Sequence, residues 1–293
     1  MVTLLWSTLL ACAESAPITV VTFNTGLGAA SGEVGERVDT WYGNGLSWPP
    51  AMDVAEDSLS RANPDLVAFQ EVFDPEECAD IPVEEHEGFV CADWKPGDEH
   101  VALQVLGEGW ELACHPGNTD KCVAVHERLG PIEAVDGFPV EGCGSGARVA
   151  RVTVLTDEGR LTVVSVHGSS GFDTETEGCR VAQVEQVFVD LGDGEPGANG
   201  RRNLILGDFN TDPGRLAGSS DSATRWNDFV QAPWAFHTGV DTGLEPSYAG
   251  LMDIDHVVSD TFEGDCTHGF LIGEGFDAFD HLPIVCSLTE ADP

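Results

Sequence analysis

Short runs of apolar, mostly β-branched residues recur along the whole chain, and Gly, Pro, Asn and Asp separate them. Runs of this length and composition, bounded by turn-forming residues, predict β-strands. Several of them, such as 161–167, are apolar on both alternating faces, which predicts strands buried between a second sheet and a layer of helices. The predicted strands cover 18–23, 66–69, 101–106, 121–126, 147–155, 161–167, 203–206, 254–258 and 282–288.

Helical periodicity is confined to three segments. Apolar positions recur among acidic ones in 51–62, and four valine and phenylalanine positions with a final leucine recur at near-helical spacing in 180–191. A third helix is predicted over 226–232. Polar, glycine-rich loops are predicted between these elements, at 24–48, 74–100, 168–179 and 192–202.

Nothing in the sequence after residue 16 divides the chain. There is no Pro/Ser-rich linker, no repeat and no change in composition, so we expect one domain over 17–293. No apolar run reaches the roughly 20 residues that a membrane-spanning helix requires.

The first residues form a short apolar segment in which Leu9, Leu10 and Ala11 precede Cys12. This resembles a bacterial lipoprotein signal, in which Cys12 would carry the lipid and tether the protein to a membrane. The segment lacks Lys and Arg and is very short, so an ordinary signal peptide and a misplaced start codon are alternatives. We expect residues 1–16 to be an export signal with a short tether, and the product to be an exported monomer in the periplasm, on the outer membrane or outside the cell.

The cysteines agree with export. Eight of the nine follow Cys12, an even number that predicts up to four disulfides in an oxidising compartment. Close spacing favours the pairs Cys78–Cys91 and Cys114–Cys122 and leaves the other pairings open. A zinc site is disfavoured, because the sequence has no Cys-x-x-Cys and no close Cys/His cluster.

The charge balance narrows the class of partner. There are 51 Asp and Glu against 13 Lys and Arg, a formal net charge of -38. A protein that binds nucleic acid tightly gains affinity from Lys and Arg that displace counterions, and no basic stretch is present. The charge fits either an adaptation for solubility in salty surroundings or repulsion of anionic partners. A small phosphoester or a zwitterionic lipid headgroup is compatible with both.

Six predicted strands end or begin at side chains suited to metal and phosphate chemistry. In NLILGDFN an apolar strand stops at glycine and then presents Asp208 and Asn210, two residues apart and therefore on one side of an extended chain. A carboxylate there can bind a hard cation or a water, and the amide can hold a phosphoryl oxygen. Each motif alone also fits a turn or a cap. The remaining motifs carry Asn24, Glu71, His167, Asp255 with His256, and Asp280 with His281.

The two motifs nearest the C-terminus combine a carboxylate with an imidazole. An aspartate such as Asp255, paired in space with a histidine, would fix the imidazole tautomer and raise its basicity, which water activation near neutral pH requires. His281 is the better candidate for the base than His256, because it opens the last predicted strand.

Taken in this order, the six motifs resemble the endonuclease/exonuclease/phosphatase superfamily. Its members include pancreatic deoxyribonuclease, abasic-site endonucleases, bacterial sphingomyelinases and inositol-phosphate 5-phosphatases. The resemblance covers about residues 17–289 and rests chiefly on GDFN, DHLP and an upstream QE. It implies an α+β fold, a four-layer α/β/β/α sandwich of two mostly antiparallel sheets flanked by helices.

The resemblance also implies roles for the metal site. Asn24 and Glu71 would hold Mg²⁺ or Mn²⁺, and Asp208 and Asp280 match positions that contribute to metal binding. Asp208 and Asn210 would in addition contact the attacking water and the phosphate.

The resemblance also implies roles for two histidines. His281, oriented by Asp255, would be the general base or would contact the phosphate, and either it or Asp208 would accept the proton. His167 would protonate the leaving oxygen or stabilise the transition state. It matches the deoxyribonuclease and sphingomyelinase branch, since abasic-site endonucleases lack this histidine.

The function expected is therefore that of a metal-dependent phosphodiesterase that uses in-line attack by an activated water. No Gly-x-Ser-x-Gly motif for a serine nucleophile is present. The substrate is a phosphodiester, whether a lipid headgroup, a small diester or a nucleic acid. The alternatives are a secreted deoxyribonuclease-like endonuclease and a non-catalytic binding protein on the same fold.

Overall fold

The computed structural model describes residues 16–28, 32–140, 143, 148–190, 195–269, 271 and 279–291. The predicted export signal, except for Ala16, lies outside the described residues. Among them are five α-helices: α1 Gly32–Arg37, α2 Pro49–Ala62, α3 Val101–Leu106, α4 Thr174–Phe188 and α5 Asp221–Phe229. None of these helices is long and apolar enough to cross a membrane.

Twelve strands lie in the described part of the chain. They are β1 Ile18–Asn24, β2 Leu66–Gln70, β3 Trp110–His115, β4 Asn118–His126, β5 Ile132–Pro139, β6 Arg148–Thr156, β7 Gly159–His167, β8 Asn203–Asp208, β9 Ala235–Phe236, β10 Asp255–Ser259, β11 Phe262–His268 and β12 Ile284–Glu290.

The strands form two six-stranded sheets of the same design. The first has the order β11-β12-β1-β2-β4-β3 and the second β5-β6-β7-β8-β10-β9. In each, the central pair is parallel, β1 with β2 and β7 with β8, and every other neighbouring pair is antiparallel. A parallel pair needs a crossover connection, and α2 and α4 belong to those crossovers.

Three apolar layers hold the sheets and helices together. Val20, Leu66, Val163 and their neighbours fill the space between the two sheets. On the outer faces, the first sheet packs against α2 and α3, and the second against α4 and α5. Each large apolar side chain buried in this way contributes about 1.5–3 kcal/mol. The predicted α+β sandwich with two mostly antiparallel sheets and flanking helices is confirmed, as is the burial of its central strands on both faces.

The predicted strand 101–106 is wrong, because these residues form α3. The His100 imidazole Nδ1 accepts the Ala102 N–H (3.1 Å) and caps the start of the helix, and Gly107 ends it at a positive φ. Val101, Ala102 and Val105 are buried on one side against the first sheet. A run of six apolar residues is too short for its periodicity to separate a helix from a strand.

Four strands were not predicted, and all four lie at sheet edges: β3, β5, β9 and β11. In β11, for example, four of seven residues are exposed. An edge strand has one neighbour and a largely solvated face, so its sequence lacks the apolar run that marks a central strand.

Helix boundaries also differ from the pattern. Helix α4 starts at Thr174, within the predicted loop 168–179, because the Asp173 carboxylate accepts the N–H groups of Glu175 and Thr176 and caps it. Helix α5 similarly begins before 226, after the Ser220 cap. The predicted loop 24–48 contains α1 and a π-helical turn at Val38–Tyr42.

The eight cysteines after Cys12 form four disulfides. Two are the predicted pairs Cys78–Cys91 and Cys114–Cys122, and the others are Cys143–Cys179 and Cys266–Cys286. Four disulfides are consistent with an extracellular or periplasmic protein.

His256 makes stability depend on pH. The imidazole is fully buried, with Nε2 donating to the Thr211 carbonyl (2.7 Å) and Nδ1 facing the Thr238 hydroxyl (3.3 Å). Burial lowers the pKa of His256 from 6.5 to about 4, although the Thr211 carbonyl and nearby carboxylates oppose the shift. The folded state resists protonation of this imidazole. The folding free energy that depends on the neutral imidazole is therefore fully present above pH 6.5 and is lost as the pH falls towards 4.

We expect His256→Gln to lose less stability than wild type on acidification. The pKa difference between the folded and unfolded states corresponds to a loss on the order of 3 kcal/mol in the free energy of unfolding once His256 is fully protonated. Urea unfolding of both proteins between about pH 7 and pH 4 measures the difference. His126→Gln is the matched control. Parallel curves for wild type and His256→Gln would contradict the assignment.

Candidate active site

The predicted site residues meet at one end of the two sheets. β1 ends at Asn24, β7 at His167 and β8 at Asp208, and the two parallel pairs run towards the same edge. β10 is antiparallel to β8, with Asp255 opposite Asp208, so the start of β10 lies where β8 ends. The convergence expected from the strand ends is therefore what the fold produces.

Asp208 lies at the centre of this group and is buried. Its Oδ2 accepts the side-chain N–H of Asn24 (2.9 Å) and of Asn210 (3.2 Å), and its Oδ1 accepts the Asn210 backbone N–H (2.7 Å). Two imidazoles face the same oxygen, His281 Nε2 at 3.7 Å and His167 Nε2 at 3.8 Å. One carboxylate thus connects side chains from both sheets.

Glu71 follows β2 and forms the second carboxylate of the centre. Its Oε1 lies 3.3 Å from both Asn24 Nδ2 and His167 Nε2. Burial raises the pKa of Glu71, but the contacts with His167 and Asn24 and the charge of His281 outweigh it and bring the pKa to about 2. The carboxylate is therefore ionised throughout the neutral range.

Two site residues occupy the left-handed backbone region that non-glycine residues seldom adopt: Glu71 at φ 54° and Asn210 at φ 49°. Each stands one or two residues beyond the end of a central strand, where the chain turns away. Strain of this kind is tolerated where the surroundings fix the conformation. It brings the two side chains to the face that the strand ends share.

His281 and Asp255 form a buried pair. His281 Nδ1 lies 2.7 Å from Asp255 Oδ2, which leaves Nε2 directed towards Asp208. Burial lowers the pKa of His281, but the carboxylates of Asp255, Asp208 and Asp280 outweigh this and raise it to about 10. These carboxylates therefore favour the imidazolium form of His281.

Burial also raises the pKa of the central carboxylate, to about 6 for Asp208, with Asp255 acting in the same direction and His281 and His167 against it. The pKa of Asp280 is likewise raised, by burial and by the charge of Glu71, while His281 opposes this. Several carboxylates thus share one small volume.

The donor set fits a hard divalent cation. Carboxylate oxygens are the ligands that Mg²⁺ and Mn²⁺ prefer. Two glycines leave room for the carboxylates, since a Cβ at Gly26 would overlap Glu71 Oε2 and one at Gly28 would overlap Asp280 Oδ2. Ligand atoms of Asp208, Asp255 and His281 lie within 4.8 Å of one another, but an imidazolium has no free nitrogen lone pair, so the carboxylates are the available ligands. Asn24 turns its N–H groups to the carboxylates and its oxygen to the Gly26 N–H, so its role as a metal ligand stays a prediction.

Tyr248 is a site residue that the sequence did not reveal. Its ring centroid lies 4.8 Å from that of His281, and the two backbones pair. Burial raises the pKa of Tyr248, and the charges of Asp280 and Asp208 add to the effect. It stands in a polar loop without a periodic pattern, so only tertiary structure brings it to the centre.

A profile of the Endonuclease/Exonuclease/phosphatase family matches residues 21–264. The chain belongs to this family. Members of the endonuclease/exonuclease/phosphatase family are phosphoester hydrolases that typically use a divalent metal, which agrees with the oxygen-rich centre. No curated protein matches the chain.

Solved structures of the family have the same fold. TDP2 from D. rerio in complex with a single-strand DNA product matches with a TM-score of 0.61 and 11% identity, over 94% of this chain and 99% of that one. The human Nocturnin catalytic domain with bound sulfate matches with a TM-score of 0.60 and 15% identity, over 95% of this chain and 97% of that one. The endonuclease/exonuclease/phosphatase protein from Beutenbergia cavernae matches with a TM-score of 0.59 and 16% identity, over 94% of this chain and 72% of that one. At these identities the likeness extends to the fold alone.

Gly26 provides a direct test of the centre. Gly26→Ala places a methyl group against the Glu71 carboxylate and should displace it, so we expect phosphoester hydrolysis to fall about 100-fold, the effect of a misplaced catalytic group. Steady-state rates and thermal unfolding measure activity and fold separately. Gly178→Ala is the control, because nothing lies within 4 Å of its added Cβ. Equal activities of the two variants would show that the position of Glu71 does not matter.

Proposed function

We propose that the chain is an exported, divalent-metal-dependent phosphodiesterase in which water attacks the phosphorus in line. The observation that carries the proposal is the Asp255–His281 pair facing Asp208, with His167, itself beside Glu71, facing the same carboxylate oxygen. The group brings carboxylates, an oriented imidazole and a second imidazole together at the ends of the two sheets. Metal-dependent hydrolysis of a phosphodiester can use such groups to hold a cation, stabilise negative charge and move protons.

Glu71, Asp208 and Asp280 would hold Mg²⁺ or Mn²⁺, with Asn24 alongside. A cation held by these residues would offset the negative charge that develops on the phosphoryl oxygens. The match of the donor atoms to a hard cation and the space beside Gly26 and Gly28 support this assignment.

His281 binds a phosphoryl oxygen in the proposed mechanism. Asp255 fixes the ring through Nδ1, so the proton on Nε2 points into the centre. The carboxylates of Asp255, Asp208 and Asp280 favour the imidazolium form, which stabilises negative charge. We assign the proton of the attacking water to Asp208, which Asn210 and Asn24 hold in place.

His167 protonates the leaving oxygen. It lies 3.3 Å from Glu71 at the border of the buried centre and lines a hollow of about 360 Å³ with Lys121 and Ser169. A leaving group could depart through this opening, and an imidazole at its edge is placed to give it a proton. Lys121 is 2% exposed and paired with Asp120 (2.6 Å).

Release of p-nitrophenolate from bis-p-nitrophenyl phosphate tests the proposal. Turnover should require Mg²⁺ or Mn²⁺ and should stop when a chelator is added. Hydrolysis that persists in the chelator would contradict metal-dependent catalysis. Failure to hydrolyse any diester in the presence of metal would favour the non-catalytic binding protein.

A secreted deoxyribonuclease-like endonuclease is the second candidate. The observation in its favour is His167, which takes part in the centre and is the residue shared with that branch of the resemblance; a DNA product is bound to one structural neighbour, TDP2. The net charge of -38 opposes it, because phosphate groups of DNA would be repelled. Cleavage of plasmid DNA without turnover of choline lipid vesicles would decide for the nuclease.

Export, a single catalytic domain over 17–293, a membrane tether at Cys12 and a monomeric state complete the proposal. The four disulfides support export. The contribution of both sheets to one centre supports the single domain.

A further inference from the structure

An imidazole lies beside the disulfide that joins β3 to β4. A ring nitrogen of His100 and the sulfur atoms of Cys114 and Cys122 are within 4.8 Å of one another. None of these three residues belongs to the candidate active site. Because the opening of a disulfide releases a thiolate, a hydrogen-bond donor next to the sulfur atoms favours the reduced pair.

The proton of the His100 ring is on the nitrogen that has no partner. Nδ1 accepts the backbone N–H of Ala102 (3.1 Å) at the start of α3, so the neutral ring carries its proton on Nε2. Burial lowers the pKa of His100, although the charge of Asp74 opposes this, and the neutral ring is therefore favoured. Nε2 is enclosed and has no hydrogen-bond partner in the described part of the chain. An enclosed N–H without an acceptor costs free energy, and a thiolate beside it would remove that cost.

The cross-link itself adds little to the stability of this hairpin. β3 and β4 are already paired along their length up to the two cysteines, which lie directly opposite each other. Cys114–Cys122 closes the shortest loop of the four disulfides, with a sequence separation of 8 against 13, 20 and 36. A short loop loses little entropy on closure, so its disulfide stabilises the folded state least. Cys114 is half-buried and Cys122 is 1% exposed, so a reductant would reach Cys114.

We propose that Cys114–Cys122 is a site of thiol–disulfide exchange whose reactant is a dithiol. One thiolate of the dithiol attacks Cys114 Sγ, the bond between Cys114 and Cys122 breaks, and its electron pair leaves on Cys122 Sγ. The His100 Nε2–H donates to the thiolate of Cys122. The second thiolate of the dithiol attacks the mixed disulfide and releases Cys114. The dithiol is oxidised to a disulfide, and two electrons and, through water, two protons pass to the cysteine pair.

Cys266–Cys286 is a matched reference within the same molecule. It also joins residues directly opposite each other in antiparallel strands, β11 and β12, and it also has one half-buried and one buried cysteine. In the described part of the chain, no imidazole nitrogen or carboxylate oxygen lies within 4.8 Å of both its sulfur atoms. The two disulfides therefore differ in loop length and in the imidazole, and a substitution of His100 separates these two causes.

Limited reduction with dithiothreitol, followed by alkylation and mass spectrometry of the peptides, measures both rates in one sample. We expect Cys114–Cys122 to be reduced first. His100→Asn removes the imidazole but keeps an acceptor for the Ala102 N–H, since Asn is a favourable helix cap. It should lower the ratio of the two rates about fivefold, part of the effect of a hydrogen bond to a full charge. His86→Asn, at a half-buried histidine elsewhere on the chain, should keep the wild-type ratio.

Alkylation of the selectively reduced protein at a series of pH values provides a second measurement. In the wild type, one of the two thiols should have a pKa about one pH unit below the ordinary value of about 8.5, which corresponds to a tenfold stabilisation of the thiolate. His100→Asn should return that pKa to the ordinary value.

Three results would each overturn the proposal: Cys266–Cys286 reacting as fast as Cys114–Cys122, a rate ratio that His100→Asn leaves unchanged, or ordinary pKa values for both thiols of the wild type. Thermal unfolding shows whether His100→Asn is folded. The rate ratio and the thiol pKa of the wild type decide the question even if that variant does not fold.

Discussion

His281→Ala is expected to lower kcat/KM for bis-p-nitrophenyl phosphate by about 10³-fold, the usual contribution of one positioned acid–base or electrostatic group. The variant loses the imidazolium that faces Asp208 and leaves Asp255 buried without its partner. The residual rate should rise when free imidazole is added, since the ring leaves a space of its own size. Steady-state kinetics with and without imidazole measure both effects.

His86→Ala serves as the control for this experiment, because His86 is a half-buried histidine outside the catalytic group, with Nε2 3.0 Å from the Ile81 carbonyl oxygen. It should retain wild-type kinetics. If His281→Ala kept its activity within about threefold of wild type, the proposed mechanism would be wrong. Circular dichroism of the variant separates a catalytic loss from a loss of fold.

Glu71→Gln should weaken metal binding and turnover together. The substitution keeps the shape of the side chain and its place beside Asn24 and His167, but removes an ionised carboxylate whose pKa is about 2. We expect the Mg²⁺ concentration for half-maximal rate to rise at least about tenfold and kcat to fall by about 10³-fold, as for loss of one charged ligand. Metal titrations of the rate and Mn²⁺ calorimetry measure the two changes.

Glu84→Gln is the matched control, since Glu84 is an exposed acid on a short helical turn. It should bind metal as the wild type does. An unchanged metal midpoint in Glu71→Gln would remove Glu71 from the metal site. A lowered kcat with an unchanged midpoint would assign Glu71 to the orientation of His167 instead.

The sequence predicted the inner strands of both sheets because burial on two faces leaves a continuous apolar run. β7 shows this best, since Val163 faces the other sheet while Val164 faces the helices. The edge strands β5 and β11 have no such run and were missed. The apolar run 101–106 was wrongly predicted as a strand, because a six-residue helix and a buried strand require the same apolar residues.

The meeting of these side chains was predictable for a related reason. A polar residue at the end of a buried strand, such as Asp208 or His167, stands out against the apolar run, and parallel strands bring such ends to one edge. Tyr248 has no run beside it, and its place next to His281 depends on how two loops fold together. The left-handed conformation of Glu71 also lies outside what strand periodicity encodes.

The two sheets share the same order of parallel and antiparallel neighbours. The strand ends of each sheet carry about half of the side chains of the candidate active site. Glu71 and Asn24 come from the first sheet, and His167 and Asp208 from the second. Neither half has a complete set of reacting groups, so the centre exists only as an interface across the apolar layer between the sheets. A small slide of one sheet over the other would separate Glu71 from Asp208 while every strand stayed intact. Under mildly denaturing conditions turnover would then be lost before secondary structure. Enzymatic activity would therefore report on the packing of the two sheets against each other.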